Sequence, residues 1–216
     1  MPIRIRAWLL LGLILTAAGP AQTQGTGVPE SAGTTQPAPP SLVATVLGEE
    51  VRTADAGEMR QLLLTRLFDR YAEQHGIEVS EAEIDAFVEG MQRGMRAEGL
   101  TADDALSPDE AAQVGQMRRD MARALIRQWK LNRALYGQYG GRIIFQQLGP
   151  EPLDAYRKYL EERQVAGDFQ IHAPSFEGPF WRYFTDDAIH SFYEPGSQAE
   201  AQAFVIPPWE RQAEPH

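Results

Sequence analysis

The sequence predicts a mainly α-helical fold with two short β-strands and an aromatic C-terminal extension. Three observations predict it. Apolar residues recur at helical spacing through several long stretches. Two of those stretches open on helix-start chemistry, at Ser80-Glu81-Ala82-Glu83 and at Ser107-Pro108-Asp109-Glu110. Glycines stand where the periodicity stops, at Gly76, Gly140-Gly141 and Gly167.

The elements follow in chain order. Arg4 and Arg6 precede the apolar run Ala7–Ala18, and Gly19-Pro20-Ala21 follows it. The run is shorter than the roughly 20 residues that cross a bilayer. Residues 1–21 therefore read as a secretory signal peptide rather than an uncleaved anchor, with cleavage after Ala18 or Ala21. No later stretch is apolar enough to span a membrane, so the mature chain is expected in the periplasm. Residues 22–41 are rich in Gln, Gly, Thr, Ser and Pro and read as a disordered linker.

Structure is expected to begin at Leu42. The stretch 42–51 reads as a short strand with a turn near Gly48. A helix from about Asp55 to Gln74 carries Met59, Leu63, Leu67 and Tyr71 at intervals of four. The helix after Ser80 puts Ile84, Phe87, Val88, Met91 and Met95 on one face, and Gly90 and Gly94 weaken it. In the long helix from Ser107 to Tyr139, Ser107 is the N-cap, and the apolar residues include Val114, Met117, Met121, Leu125, Leu131 and Leu135.

Arg142–Gln147 reads as the second strand, which pairs with the first in the simplest arrangement. A further helix starts at Pro150-Glu151-Pro152 and ends near Gly167, and Phe169–Ile171 is extended. Ten of the 20 aromatic residues lie between Phe169 and Trp209. Thr185-Asp186-Asp187 resembles a helix start that Pro195-Gly196 closes. The tail beyond Pro207 reads as loose. The chain thus divides into a signal (1–21), a linker (22–41), a helical module (42–167) and an extension (168–216).

Net charge is −10, and it divides as +1 over residues 1–41, −5 over 42–166 and −6 over 167–216. This balance argues against coating nucleic acid. There is no cysteine. Disulfides, thiolate zinc sites, a thiol nucleophile and a lipoprotein anchor are thereby excluded.

Arg119, Arg123, Arg127 and Lys130 recur along one side of the long helix. They read either as an anion-binding stripe or as a face complementary to the acidic helix or the acidic tail, and the second reading is preferred. Asp186, His190 and Glu194 would share a helical face suited to a divalent metal, but no second His stands at i+4. Gly137, Gly140 and Gly141 follow a helix and lack the Lys-Ser/Thr of a phosphate loop, so they read as a helix stop. Ser175 and Ser191 lie in no nucleophile-elbow pattern, and a serine paired with His172 or His190 is not expected.

The residues Gly48-Glu49-Glu50-Val51, then Leu63, Leu67, Phe68 and Arg70, then Gly76-Ile77-Glu78-Val79-Ser80-Glu81-Ala82-Glu83-Ile84-Asp85 form a familiar series. It resembles the N-terminal chaperone module of SurA and the related envelope peptidyl-prolyl isomerases. The resemblance covers roughly residues 42–165 and is clearest over 42–90. It implies a SurA-N-like helical core that holds extended polypeptide in an apolar crevice. No stretch resembles the parvulin domain that follows in complete members, so no catalytic residue is assigned.

The expected function is that of a periplasmic, chaperone-like protein for unfolded or extended polypeptide clients, without cofactor or metal. The alternatives are an isomerase with an unrecognised catalytic segment, or an envelope assembly subunit with one fixed partner. Candidate peptide-binding residues are Met91, Met95, Met117, Met121, Trp181 and Phe184. Flexible Met side chains suit surfaces that accept varied partners, but the plainer and preferred reading of these methionines is simply core. Trp181 and Phe184 are read as a lid over the crevice, a contact patch, or core. Whether the aromatic extension fills the crevice is left open by the sequence.

Overall fold

Backbone freedom at two residues decides how the described chain begins. In the computed structural model, which describes residues 41–97, 99, 106–146 and 149–210, Leu47 and Gly48 both have positive φ, at 51° and 83°. That geometry closes a two-residue hairpin, whose twist matches the flanking strands. Residues 42–51 are therefore not one strand with a turn. They belong to two antiparallel strands, β1 (Ser41–Val46) and β2 (Glu49–Thr53). The signal and the linker as far as residue 40 lie outside the described residues, and Ser41 is the first residue of β1.

Helix α1 (Ala56–Gln74) is capped by Asp55, whose Oδ1 accepts the Glu58 N–H at 2.7 Å. It buries Met59, Leu63, Leu67, Phe68 and Tyr71. Helix α2 (Glu81–Ala97) starts on the expected capping box: Ser80 N–H donates to Glu83 Oε2 at 2.8 Å, and Glu83 N–H returns to Ser80 Oγ at 3.3 Å. Helix α3 (Pro108–Tyr139) also has a complete capping box, between Ser107 and Glu110. It stops at Gly140, whose N–H reaches the Tyr136 carbonyl at 2.8 Å.

The second strand region pairs locally. Strand β3 (Ile144–Gln146) is antiparallel to β4 (Gly149–Glu151), and α4 (Leu153–Val165) starts only after Pro152. The two strand regions expected from sequence do not pair with each other. Strand β1 instead takes β5 (Phe169–Ile171) on its free edge, giving the antiparallel order β2-β1-β5 with Val46 opposite Phe169.

Helix α5 (Pro174–Thr185) was not foreseen, although it begins on a Pro at its first position. The expected helix over 185–194 is only a single 3-10 turn, Asp187–Ile189. His190 is extended (φ −120°, ψ 151°), which lets Phe192 bridge to Ile144 and the Tyr193 N–H reach the Ile143 carbonyl at 2.9 Å. Edge pairing thus replaces the second turn of helix. A short α6 (Gln198–Gln202) follows, and then a 3-10 turn at Pro208–Glu210.

The main core joins the three-stranded sheet to α1, α4, α5 and the C-terminal half of α3. Val46, Leu63, Leu135, Tyr156, Phe169 and Phe180 belong to one buried cluster. The division at 167/168 falls inside this core, because β5 and α5 complete it. The buried Asn132 is paired: its Nδ2 donates to the Pro150 carbonyl at 2.9 Å, and the Tyr156 hydroxyl donates to its Oδ1.

Candidate polypeptide-binding groove

Helices α2 and α3 pack as a pair, and charge fixes one side of it. Arg119 holds Glu81 at 2.5 Å and Asp85 at 2.6 Å. Arg123 reaches Glu81 and Asp120, Lys130 reaches Glu83 at 2.6 Å, and Arg127 reaches Asp69 of α1 at 2.7 Å. The basic stripe is thus complementary to the acidic residues of α2, with one link to α1; none of these partners comes from the acidic tail. Lys130 and then Ser80 hold the Glu83 carboxyl down at about 2, and hydrogen bonds from Arg119 and Arg123 hold Glu81 low. Exposed pairs of this kind steer register more than they stabilise.

Between the two helices lies a small apolar cluster of Ile84, Phe87, Ala122 and Ile126, with Met91 packed against it. A neighbouring cluster holds Trp129, Ile143, Tyr193, Ala203 and Phe204. One segment of chain links the two. Phe204 lies 5.0 Å from the Tyr136 ring. Trp209 then sits with its ring 5.2 Å from Phe87 and 5.8 Å from Trp129. Trp209 of the tail therefore occupies the groove between α2 and α3. Residues 208–210 are not loose as expected, because Trp209 anchors them; residues 211–216 lie outside the described residues.

The floor of the groove on α2 is made of small residues. Ala82 and Ala86 line it, and a Cβ on Gly90 would stand 3.6 Å from the Trp209 carbonyl. A recess of about 210 Å3 remains beside the tail, bounded by Glu83, Trp129, Lys130 and Trp209. Trp129 is 6% exposed, and among the described residues its Nε1 has no hydrogen-bond partner. The groove thus offers apolar walls and a Lys/Glu pair at the rim.

The six residues expected to bind peptide are not brought together. Met91, Met95 and Met121 are half-buried and Met117 is 53% exposed, all on α2 and α3. Trp181 and Phe184 lie on α5 in the main core, where Phe184 is 1% exposed and Trp181 packs 6.1 Å from it. They are not a lid over the α2–α3 groove. Met59, also of interest as a methionine, is fully buried core. Phe87, Trp129 and Trp209 line or fill the groove instead. The signal that could have found it was the small-residue row Ala82, Ala86, Gly90, Gly94 at intervals of four, which leaves room for a partner chain.

Asp186, His190 and Glu194 share no helical face, because the chain is extended at His190, whose Nε2 contacts the Tyr183 carbonyl at 2.6 Å. Among the described residues no group of three His, Asp or Glu side chains is placed to hold a metal ion. Nor is any described helix long and apolar enough to cross a membrane.

One further ionisable group is shifted by its surroundings. The Tyr183 hydroxyl donates to Glu151 at 2.9 Å, and Arg60 lies over the Tyr183 ring at 4.7 Å. Burial pushes the Glu151 carboxyl up, against the Tyr183 hydrogen bond and the charges of His190 and Arg60. A folded value above the unfolded one favours the fold at acid pH, and that contribution is lost as pH rises through the folded value. Glu151→Gln keeps an acceptor for Tyr183 and does not ionise. Its stability relative to wild type is therefore expected to rise from pH 4 to pH 8, as measured by urea unfolding at each pH. A difference that stays constant with pH contradicts the assignment.

No family model, curated protein or solved structure matches the chain. Its function is argued from its own geometry.

Proposed function

We propose that the protein is a periplasmic, non-enzymatic, chaperone-like protein that holds extended segments of unfolded polypeptide in the groove between α2 and α3. One observation carries this reading: the groove already seats one segment of the same chain, at Trp209, between Phe87 and Trp129. A surface that takes one such segment by apolar contact has the chemistry to take others. The resemblance of residues 42–90 to the SurA chaperone module supports the same reading, and the charged, apolar N-terminus supports export.

Binding rests on burial. Each client Leu or Phe removed from water contributes about 1.5–3 kcal/mol before ordering costs. Met91 packs against the apolar cluster between α2 and α3 with a side chain that adapts to different shapes. With no nucleotide driving release, clients leave by mass action and by folding.

The test is light scattering from an unfolded, aggregation-prone outer-membrane protein diluted out of denaturant with the mature chain. Suppression near equimolar ratio is expected. Unchanged scattering at about tenfold excess of the chain would overturn the reading.

A further inference from the structure

The groove's occupant is held in an unusual way. Ala203 and Phe204 are buried, Val205 is 65% and Ile206 43% exposed, and Trp209 is half-buried again. Trp209 is therefore a separate anchor, reached through a short exposed stretch and the pair Pro207-Pro208. The Trp209 end is fixed within the tail by one turn, in which Glu210 N–H reaches the Pro207 carbonyl at 3.0 Å. With the segment docked, the buried Trp129 Nε1 has no partner among the described residues. An unpaired buried donor is a standing cost of this arrangement. An occupant that placed a main-chain carbonyl against that donor, in the position Trp209 now takes, would remove that cost.

We infer that residues 207–210 are an autoinhibitory plug: Trp209 and a client side chain are alternative occupants of the site between Phe87 and Trp129, and a client gains the Trp129 Nε1 hydrogen bond that the plug lacks. The inference rests on the proposed polypeptide binding and adds its regulation and a recognition group. Its physical logic is that of an intramolecular competitor. A tethered Trp209 acts at a high effective concentration, so it excludes weak ligands and yields to strong or multivalent ones. The apparent affinity for a client is reduced by the fraction of molecules whose groove is open. The plug also covers Phe87 and Trp129, which would otherwise form an exposed aromatic patch.

The experiment titrates a fluorescent peptide with the sequence of residues 203–210, and separately a labelled unfolded outer-membrane protein, into the mature chain, into Trp209→Ala and into a chain ending at Ile206. Circular dichroism confirms that each is folded, and the truncation serves if Trp209→Ala is not. The plug predicts that both altered chains bind the peptide and the unfolded protein about tenfold or more tighter than wild type. It also predicts that adding Trp129→Phe, which keeps the ring and removes the donor, reverses part of that gain. Equal affinity of wild type and both altered chains for the unfolded protein overturns the plug and leaves polypeptide binding standing. Loss of the unfolded protein's binding from all three overturns the underlying reading. Sedimentation at the same concentrations adds a further arm: a wild-type dimer that becomes monomeric on truncation places the plug in a second copy and overturns the intramolecular form.

Discussion

Phe180→Ala is expected to destabilise the protein by about 3–5 kcal/mol, the cost of removing a large ring from a close-packed interior. Phe180 is fully buried. Its ring lies 5.6 Å from Phe169, 5.0 Å from Trp181 and 5.7 Å from Phe184. It therefore joins β5 to α5, and α5 in turn packs on α1 and α4. Surrounding helices cannot collapse into the space without breaking the β1–β5 pairing, so the cavity persists. Single domains have roughly 5–15 kcal/mol to lose. The urea midpoint should fall by roughly 2 M with little change in slope. Ile189→Ala, at a site 51% exposed, serves as the control and should shift stability by less than about 0.5 kcal/mol. A loss below about 1 kcal/mol at Phe180 would mean that α5 is not part of the core.

Gly141→Ala is the second large effect. Gly141 has φ +97°, where a side chain is strained by about 1–3 kcal/mol. Its Cβ would also stand 2.4 Å from the Asp154 Cβ. Asp154 is not free to retreat. It accepts the Arg142 N–H at 2.8 Å, Nε at 2.9 Å and Nη2 at 3.0 Å. The same guanidinium holds Asp187 at 2.6 Å and lies 4.6 Å over the Phe192 ring. The clamp joins the end of α3, the start of α4 and the 187–192 turn. Although burial opposes it, the Arg142 hydrogen bonds leave the Asp154 carboxyl below its usual range. The expected loss is about 2–4 kcal/mol, strain and clash combined. Gly76→Ala separates the two terms: Gly76 also has positive φ, at 60°, but a Cβ there meets nothing within 4 Å. It should lose less than Gly141→Ala in thermal unfolding. Equal losses would show that the Asp154 contact yields without cost.

What the sequence made legible was local. The Ser80 and Ser107 caps, the Asp55 start and the glycine stops depend on residues within one turn of each other, and all appear where expected. Long-range pairing was not legible. Nothing near residue 169 says that its strand joins β1, 123 residues earlier in the chain at Val46. Pro174, Gly178 and Pro179 argue against α5 on propensity, and burial of Phe180 and Phe184 overrides them. At 186–194 the reverse happened: Asp186 caps a helix start as read, but pairing of Phe192 with Ile144 ends it after one 3-10 turn.

The site was half legible for the same reason. Methionine spacing pointed to α2 and α3, where those four side chains lie without being gathered at one place. It could not show that Trp209 lies across them, because a tail contact carries no periodicity. Trp181 and Phe184 stood out by composition alone, and the main core absorbed them. The basic stripe on α3 was read correctly as complementary to acids, and its partners lie chiefly on α2.

The central claim is that the α2–α3 groove binds unfolded polypeptide. Placing a photocrosslinking residue at Ala86, which is exposed and lines the recess, and another at Val165, which is 91% exposed on α4, tests it most directly. Each chain is irradiated with a labelled unfolded outer-membrane protein at about micromolar concentration. The account predicts saturable crosslinks from position 86 and few from position 165. Equal crosslinking from both positions, or none from 86 at saturating client, would contradict it.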